Sequence, residues 1–293
     1  MPTVSVVIPV FNRQDALTRA IGSVLTQSYD DYELIVVDDG SCEPLDAAKQ
    51  PNLRIVRHQT NRGAAAARNT GVGAAKGRYV AFLDSDDTWH RDKLARQIAF
   101  MEADQNCQAS CSGFALIRNG TVLDRRLPPA VSDLDEILWG CRVSPGTTLV
   151  IQRSLYDFVG PMDETLGRLE DWDWMLKVAQ HAPFMGLREV LADVRHDRYA
   201  HVNEARFVAA ANRMTNYAKT GRYALTRGQH RVLLSAIQYE LAANYYRKQR
   251  TGLALVALFK SFAYCPWKKP EHLRAALNAV GADVMRMFRR EPA

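Results

Sequence analysis

Short apolar runs and helical repeats alternate through the first hundred residues of the chain. The runs have the length and β-branched content of buried strands, and they lie at Val4–Pro9, Glu33–Val37, Leu53–Val56 and Tyr79–Leu83. Apolar residues recur at helical spacing over Asp15–Gln27, Ala64–Lys76 and a segment that ends near Met101. Because strands and helices alternate, the pattern predicts an α/β fold with a mostly parallel sheet and right-handed crossovers.

The middle and the end of the chain follow other patterns. Asn119-Gly120 separates two strand-like segments, Ala109–Ile117 and Thr121–Leu123, and predicts a hairpin. Next we expect a short helix, a strand and a longer helix, at Ser132–Trp139, Thr147–Ile151 and Asp171–His181. From Asn203 onward the pattern is helical, with breaks expected near Thr220-Gly221, Arg227-Gly228 and Cys265-Pro266.

Composition narrows the class of protein. The 293 residues are 47% hydrophobic and 24% charged, which suits a large α/β domain with an appendage. The net charge of +6 is too small and scattered to predict nucleic-acid binding, but it suits a nucleotide diphosphate or an anionic membrane surface. The five cysteines form no CxxC pair, which favours a reducing compartment.

Targeting signals are not apparent in the sequence. Its first residues lack the pattern of a signal peptide, and the longest apolar stretch, Gly252–Cys265, contains Lys260 and is too short to span a bilayer. We therefore expect a cytoplasmic protein, with peripheral contact at the inner face of the plasma membrane left open.

Two of the predicted strands end in aspartates. Asp84-Ser85-Asp86 directly follows the fourth strand, and carboxylates two positions apart in extended chain can reach one hard cation such as Mg²⁺ or Mn²⁺. Such an ion would neutralise a departing diphosphate. The alternative is a turn that leads into a helix capped by Asp87 or Thr88.

The second cluster, Asp38-Asp39-Gly40-Ser41, follows the second strand. A carboxylate there can accept hydrogen bonds from a pyrimidine base or from ribose hydroxyls, and the alternative is a plain Asp-Gly turn. Because ligands of parallel sheets bind beyond the carboxyl ends of the strands, both clusters are expected to face one crevice. Arg68, in an alanine-rich helix, could reach phosphate or base, or could lie on a packed surface helix.

A further acidic pair, Glu170-Asp171, lies at the start of the helix predicted over Asp171–His181. Transfer to an acceptor hydroxyl needs a base that removes its proton, and Asp171 is the candidate. Both residues could instead cap the helix.

Together these segments resemble the family 2 glycosyltransferases of the GT-A fold, in the non-processive form typical of bacteria. The resemblance covers about the first two hundred residues and depends on motifs that occur in the family's order, namely VSVVIPVFNR, ELIVVDDGS, NRGAAAARN with GRYVAFLDSDD, and LEDWDWMLK. It implies a Rossmann-like nucleotide-sugar-binding half over residues 1–105 and an acceptor-binding half of the same domain over residues 106–202. Residues 203–293 lie outside it as a C-terminal helical extension.

The resemblance also implies roles for individual residues. The loop that lines base and ribose would contain Pro9, Phe11 and Asn12, and Asp39, with Asp38 beside it, would contact the base. Asp86 would bind Mn²⁺ or Mg²⁺, and Asp84 would contact ribose or the metal. Asp171 would be the general base with Glu170 beside it in the acceptor site, while His196 occupies a position that relatives place near the diphosphate.

The implied activity is that of an inverting hexosyltransferase. It would move a single sugar from a nucleotide-diphosphate sugar, with UDP-sugar as the expected donor, to a saccharide or lipid-linked acceptor in cell-surface polysaccharide or lipopolysaccharide biosynthesis. No Gln-x-x-Arg-Trp motif follows Asp171, and no transmembrane helix is predicted, which favours single-sugar addition over polymer synthesis.

Other interpretations remain open. Sugar-phosphate nucleotidyltransferases also use aspartate-bound Mg²⁺, although they usually have a glycine-rich loop where this chain has Val10–Arg13. The third interpretation is a non-catalytic nucleotide-sugar-binding protein of the same fold. The aromatic and basic residues of the C-terminal extension fit either peripheral membrane contact or packing on the catalytic domain, and these two interpretations are compatible.

Overall fold

The apolar runs of the N-terminal third form neighbouring parallel strands, as predicted. The strands are β1 (Val4–Val10), β2 (Tyr32–Asp38), β3 (Leu53–Arg57) and β4 (Tyr79–Phe82). Strand β1 lies between β2 and β4 and pairs in parallel with both. Every residue of β1 and β4 is buried, which explains why these strands are continuously apolar instead of alternating.

The rest of the sheet is mixed. Five further strands extend or flank it, β5 (Thr88–Trp89), β6 (Ala109–Arg118), β7 (Thr121–Arg126), β8 (Val131–Ser132) and β9 (Leu149–Gln152), and the last is β10 (Phe184–Arg195). The order is β3-β2-β1-β4-β9-β6-β10-β5, with β7 paired to β6 and β8 to β10. Strand β9 is antiparallel to both β4 and β6, whereas β6 and β10 are parallel.

The computed structural model describes residues 1–45, 51–141, 143–195 and 203–266. These residues form two units, one made of the described parts of 1–137 and 141–195, and the other of 138–140 with 203–266. The helices of the first unit are α1 (Gln14–Leu25), α2 (Ala64–Ala74), α3 (Lys93–Ala103), α4 (Leu134–Ile137), α5 (Pro145–Thr148), α6 (Arg153–Val159) and α7 (Glu170–Ala179).

Small residues bring α2 close to the sheet. A Cβ added to Gly71 would lie 2.3 Å from Val7 Cγ1 on β1, so any side chain there would force the helix away. The alanines before it, Ala65 to Ala67, are buried as well. Gly71, which weakens helix propensity in this segment, therefore serves close packing of α2 on β1, whereas Gly73 faces open space.

Several expectations for local structure are corrected. Asp87 and Thr88 do not cap a helix, since Thr88 belongs to β5 and α3 begins after Asp92. The strand expected over Thr147–Ile151 begins two residues later, because the short helix α5 occupies its start. The hairpin is confirmed, with Asn119 at φ 50° and Gly120 at φ 77° in its turn.

The second unit is helical, as predicted. It contains α8 (Glu204–Lys219), α9 (Arg227–Arg247) and α10 (Thr251–Tyr264). The breaks expected near Thr220-Gly221 and Arg227-Gly228 are the two ends of one non-helical segment, because α8 ends at Lys219 and a capping box of Thr226 and Gln229 starts α9 at Arg227. Of the helices that the structure describes, none is both long enough and apolar enough to cross a membrane.

One buried charge is expected to cost the fold stability. Lys93 is fully buried on α3, its Nζ lies 3.8 Å from the ring centroid of Trp89, and it has no hydrogen-bond partner. Burial disfavours the ammonium form and lowers the pKa of Lys93 from 10.5 to about 7. The unfolded chain therefore binds more protons than the native state between about pH 7 and 10.5, so the free energy of unfolding rises with pH there.

Replacing Lys93 with methionine should raise the free energy of unfolding at pH 7 by roughly 2–4 kcal/mol, because the buried charge is lost and the volume is kept. The advantage of the variant over wild type should shrink as pH rises toward 10. Urea denaturation across this range measures both effects. Lys76→Met at an exposed position is the control, and equal stability of Lys93→Met and wild type at pH 7 would contradict the assignment.

Candidate active site

The carboxyl ends of β1, β2 and β4 lie side by side, and the loops that follow them are joined. The backbone N–H of Asn12, after β1, donates to Ser41 Oγ at 2.9 Å, and the N–H of Cys42 donates to Asn12 Oδ1 at 2.8 Å. Asn12 has φ 52°, a left-handed conformation that asparagine tolerates better than most residues. These bonds fix the loop after β1 against the loop after β2.

The other two residues predicted for the base-binding loop differ in exposure. Pro9 is buried within β1, in register with Val37 of β2, so it shapes the strand instead of presenting a surface. Phe11 is 41% exposed and presents its ring at the carboxyl end of the sheet. Phe11 is thus the member of this pair that can touch a ligand.

Asp38 and Asp39 have different surroundings. Asp38 is buried, accepts a 2.9 Å hydrogen bond from the N–H of Ser41, and lies 3.5 Å from Arg57 Nε. Its carboxylate therefore holds the turn after β2 in place. The Asp-Gly turn is present, since Gly40 has φ 77° and an added Cβ would clash with the backbone of Thr60.

Asp39 binds the start of helix α2. Its carboxylate accepts hydrogen bonds from the N–H groups of Arg62 and Gly63 at 2.9 and 2.7 Å, and it lies 2.7 Å from His58 Nδ1. The other ring nitrogen of His58 is 2.9 Å from Thr70 Oγ1. Sequence reasoning missed His58, although its place directly after β3, at another carboxyl strand end, was an available signal.

Arg68 links the Asp84 cluster to the Glu170 cluster. Its Nη2 donates to Asp84 Oδ1 at 2.7 Å and its Nη1 donates to Glu170 Oε1 at 3.2 Å. Burial disfavours the charged guanidinium, but the two carboxylates outweigh burial and raise the pKa of Arg68. A Cβ on Gly146 would lie 2.5 Å from Asp84 Oδ2, so glycine allows the chain to cross this ion-pair cluster closely.

Asp171 lies in the first turn of α7, beside this cluster. Its Oδ1 accepts the N–H of Trp172 at 2.8 Å, and it lines a small cavity together with Arg68. Helix α7 is anchored by the buried indoles of Trp172 and Trp174, which donate to the carbonyls of Ile137 and Gly160 at 2.7 and 2.9 Å. Burial, and after it the charge of Asp171, raise the pKa of the Glu170 carboxyl.

Asp86 forms an ion pair with a residue that sequence reasoning did not single out. Arg13 Nη1 lies 2.6 Å from Asp86 Oδ2, with the arginine side chain 51% exposed and the aspartate side chain 15% exposed. The sequence identifies Arg13 only as part of the loop after β1. The neighbouring Asp87 is fully buried and accepts hydrogen bonds from Thr147 Oγ1 of α5 and from the N–H of Arg195, so it connects α5 to the end of β10.

The carboxylates of Asp84 and Asp86 fit a divalent cation whose remaining ligands come from a bound phosphate group and water. Within the described ranges, no three acidic, histidine or cysteine side chains form a ready-made metal site. Asp86 offers a partly exposed oxygen ligand, and Asp84 follows the same strand. Mg²⁺ and Mn²⁺ sites of this composition are completed by phosphate oxygens and water. The predicted contact at His196 lies outside the residues that the structure describes.

Proteins of similar sequence are glycosyltransferases. The family model described as glycosyl transferase family 2 matches residues 5–159. The putative teichuronic acid biosynthesis glycosyltransferase TuaG of Bacillus subtilis is 35% identical over 202 residues, which is 66% of this chain and 79% of TuaG. The Escherichia coli protein WfgD, named as a UDP-Glc:α-D-GlcNAc-diphosphoundecaprenol β-1,3-glucosyltransferase, is 31% identical over 156 residues, 52% of this chain and 61% of WfgD.

Solved structures share the fold. TarS 1–349 of S. aureus in complex with UDP-GlcNAc has a TM-score of 0.66 at 19% identity, over 90% of this chain and 81% of TarS 1–349. The mannosyltransferase PcManGT of Pyrobaculum calidifontis in complex with GDP-Man and Mn²⁺ has a TM-score of 0.61 at 20% identity, over 97% and 80% of the two chains. The fold is GT-A, with added C-terminal helices, and the chain belongs to glycosyl transferase family 2.

Proposed function

We propose that this glycosyltransferase moves one hexose, with inversion, from a UDP-sugar to a lipid-linked saccharide. The observation that supports this most is the ion-pair cluster of Asp84, Arg68 and Glu170. It joins the strand end predicted to hold the donor diphosphate to the helix that carries Asp171. Donor and acceptor groups at those two places would lie on either side of one guanidinium.

The donor end of the site consists of the loops after β1 and β2. Phe11 offers an exposed ring on which a base can stack, and Asn12 and Asp39 offer amide and carboxylate oxygens to base and ribose. Asp39 Oδ1 already lies against His58 and the N–H of Arg62, whereas Oδ2 accepts the N–H of Gly63, so the second lone pair of Oδ2 would serve the nucleotide. The UDP-GlcNAc complex of TarS favours uridine, whereas PcManGT was solved with a guanosine nucleotide.

Asp86, helped by Asp84, would hold Mn²⁺ or Mg²⁺ against the donor diphosphate. The ion supplies Lewis-acid stabilisation of negative charge on the leaving diphosphate. For Asp86 to bind it, Arg13 would have to release its ion pair, and the arginine side chain, which is 51% exposed, can turn toward solvent.

Asp171 takes the proton of the acceptor hydroxyl in the proposed mechanism. The hydroxyl oxygen forms a bond to the anomeric carbon as the bond from that carbon to the diphosphate oxygen breaks. The product is one glycoside of inverted configuration and a nucleoside diphosphate. Arg68 orients Glu170 beside the base and balances the negative charge of the site.

The names of the relatives support the proposed acceptor. WfgD is named for transfer to an N-acetylglucosamine on diphosphoundecaprenol, and TuaG for teichuronic acid biosynthesis. With an acceptor anchored in a bilayer, the proposed reaction takes place at a membrane surface, in cytoplasm that supplies the nucleotide-sugar. Cell-surface polysaccharide assembly is the class of process that uses such acceptors.

A direct assay separates this proposal from its alternatives. The protein is incubated with Mn²⁺, a panel of nucleotide-sugars and a short polyprenyl-diphosphate saccharide, and the product's anomeric configuration is read by NMR. The proposal expects transfer from one donor with inverted configuration. Retention of configuration, a requirement for nucleoside triphosphate and sugar phosphate, or donor binding without any transfer would each contradict it.

Replacing Arg13 with glutamine should increase affinity for Mn²⁺ about three- to tenfold in the absence of nucleotide, because a competing cation on Asp86 is removed. Mn²⁺ titration followed by electron paramagnetic resonance measures this without any turnover. Arg19→Gln, which removes an equal charge from the adjoining helix α1, is the control. Equal Mn²⁺ affinity of the Arg13→Gln and Arg19→Gln variants would contradict the role of Asp86 as metal ligand.

A further inference from the structure

Helix α10 packs with its small residues and exposes its large ones. Ala254, Ala257 and Ser261 are buried, and Ser261 exchanges hydrogen bonds of 2.8 Å with Ser235 of α9. The exposed face carries five large apolar side chains that are 41–73% exposed, namely Leu253, Leu255, Val256, Phe259 and Phe262. This is the reverse of the usual arrangement, in which large apolar residues face the neighbouring helix.

The exposure of large apolar side chains on one face of α10 is unfavourable in water. Each exposed leucine or phenylalanine forgoes part of the stabilisation that full burial would contribute, and contiguous apolar patches of this kind mark contact sites. The single charged residue among the exposed positions of α10 is Lys260. The face is therefore suited to a partner with an apolar interior.

The same unit is strongly basic. Residues 203–266 contain ten Lys and Arg against two Asp and Glu, while residues 1–202 contain 22 against 27. Three of these basic residues, Arg247, Lys248 and Arg250, lie at the turn that starts α10. The small net charge of the protein is thus the sum of an acidic N-terminal part and a basic C-terminal part.

An open cavity of about 410 Å³ lies in this unit and is also basic. Lys219, Arg227, His230 and Arg231 line it together with Tyr223. Arg231 Nε donates to the carbonyl oxygen of Tyr264 at 2.9 Å, which places the cavity next to the end of α10. Lysine and arginine side chains converging on one cavity suit a phosphate group.

We propose that the α8–α10 unit docks on an anionic phospholipid bilayer, with the exposed face of α10 entering the interface and the basic cavity receiving a lipid phosphate. An apolar helical face beside clustered Lys and Arg has the chemistry of an interfacial helix. Charge favours this occupant over others, because a second copy of the unit would bring like charge. Residues 267–293 are also basic, with six Lys and Arg against three Asp and Glu.

This inference goes beyond the proposed transfer reaction and does not depend on it. Docking would confine the enzyme to the surface that holds a lipid-linked acceptor, so the local acceptor concentration would rise. Binding to vesicles needs neither donor nor acceptor, and transfer to a water-soluble acceptor analogue needs no vesicle. Failure of one measurement therefore leaves the other intact.

The test is co-sedimentation of the full chain with phosphatidylcholine vesicles made with and without phosphatidylglycerol. Wild type should bind the anionic vesicles, more weakly as salt is raised, and leave the neutral ones unbound. Phe259→Glu with Phe262→Glu should lower binding at least tenfold, because charges replace the inserted rings. The matched control is Phe158→Glu, since Phe158 is 72% and Phe259 73% exposed.

A second pair of variants tests the cavity. Lys219→Glu with Arg227→Glu should weaken binding and flatten its salt dependence, whereas Arg91→Glu with Arg125→Glu, on exposed positions of the first unit, should keep most of the binding. The proposal would be overturned if wild type does not bind anionic vesicles. It would also be overturned if the Phe259→Glu, Phe262→Glu protein binds them as well as Phe158→Glu does. Wild-type dimers that the same two substitutions convert to monomers, without vesicle binding, would assign the face to self-association instead.

Discussion

Replacing Asp171 with asparagine should lower the rate of sugar transfer by roughly 10²–10⁴-fold and leave nucleotide-sugar affinity within about twofold of wild type. Asparagine keeps the shape of the side chain and its hydrogen bond from the N–H of Trp172, but it cannot accept the acceptor proton. Donor affinity is measured by calorimetry, and transfer by product formation at saturating donor. An unchanged Kd for the nucleotide-sugar together with a much lower kcat is the result expected for a catalytic base.

A matched variant separates a base from a structural carboxylate. Asp157→Asn, at an exposed carboxylate on the nearby helix α6, should leave the transfer rate unchanged. Turnover of Asp171→Asn within tenfold of wild type would remove Asp171 from the mechanism.

Replacing Arg68 with methionine should lower the free energy of unfolding by about 3–5 kcal/mol, because Asp84 and Glu170 lose the cation between them. Urea denaturation at pH 7 measures the loss. Arg68→Lys should recover part of it, since an ammonium group can pair with one carboxylate but lacks the fork that reaches both. A loss below about 1 kcal/mol in Arg68→Met would show that the ion-pair cluster does not hold the site together.

Two further measurements connect that loss to the carboxylates. Adding Asp84→Asn and Glu170→Gln to Arg68→Met should restore most of the stability, because the uncompensated charges are removed. The pKa of Glu170 is already raised by burial and by Asp171, and loss of Arg68 would raise it further. Because the Glu170 carboxyl then has a higher pKa in the folded state than in the unfolded chain, the folded state binds more protons as pH falls. The difference in the free energy of unfolding between wild type and Arg68→Met should therefore shrink as pH falls from 7 toward 5.

The first half of the fold could be predicted because its signals are local. Strands β1, β2 and β4 are continuous apolar runs, and the rule that ligands bind beyond the carboxyl ends of parallel strands placed Asp39 and Asp84 at one edge of the sheet. The helices of the C-terminal unit were equally readable from spacing. Residue order in the family's motifs then identified the fold.

Other features depend on contacts between distant residues. Strand β10 escaped prediction because shifts of register between Leu187 and Ala192 interrupt the alternation of its side chains. The Arg68 contacts join residues 16 and 102 positions apart, and Arg13 reaches Asp86 across 73 positions. Such pairings are set by the order of strands in the sheet, which no local pattern contains, so the contacts of Arg13 and His58 became visible only in three dimensions, although the position of His58 after β3 was a signal in the sequence.

The central claim is that carboxylates at the ends of β2 and β4 hold a nucleoside diphosphate and its cation. A crystal structure of the protein with UDP and Mn²⁺, with anomalous scattering recorded at the manganese edge, tests it most directly. The account predicts a manganese peak within bonding distance of Asp86, Arg13 turned away from that carboxylate, and the uracil beside Asp39 and Phe11. Manganese and nucleotide bound at any other edge of the sheet would contradict it.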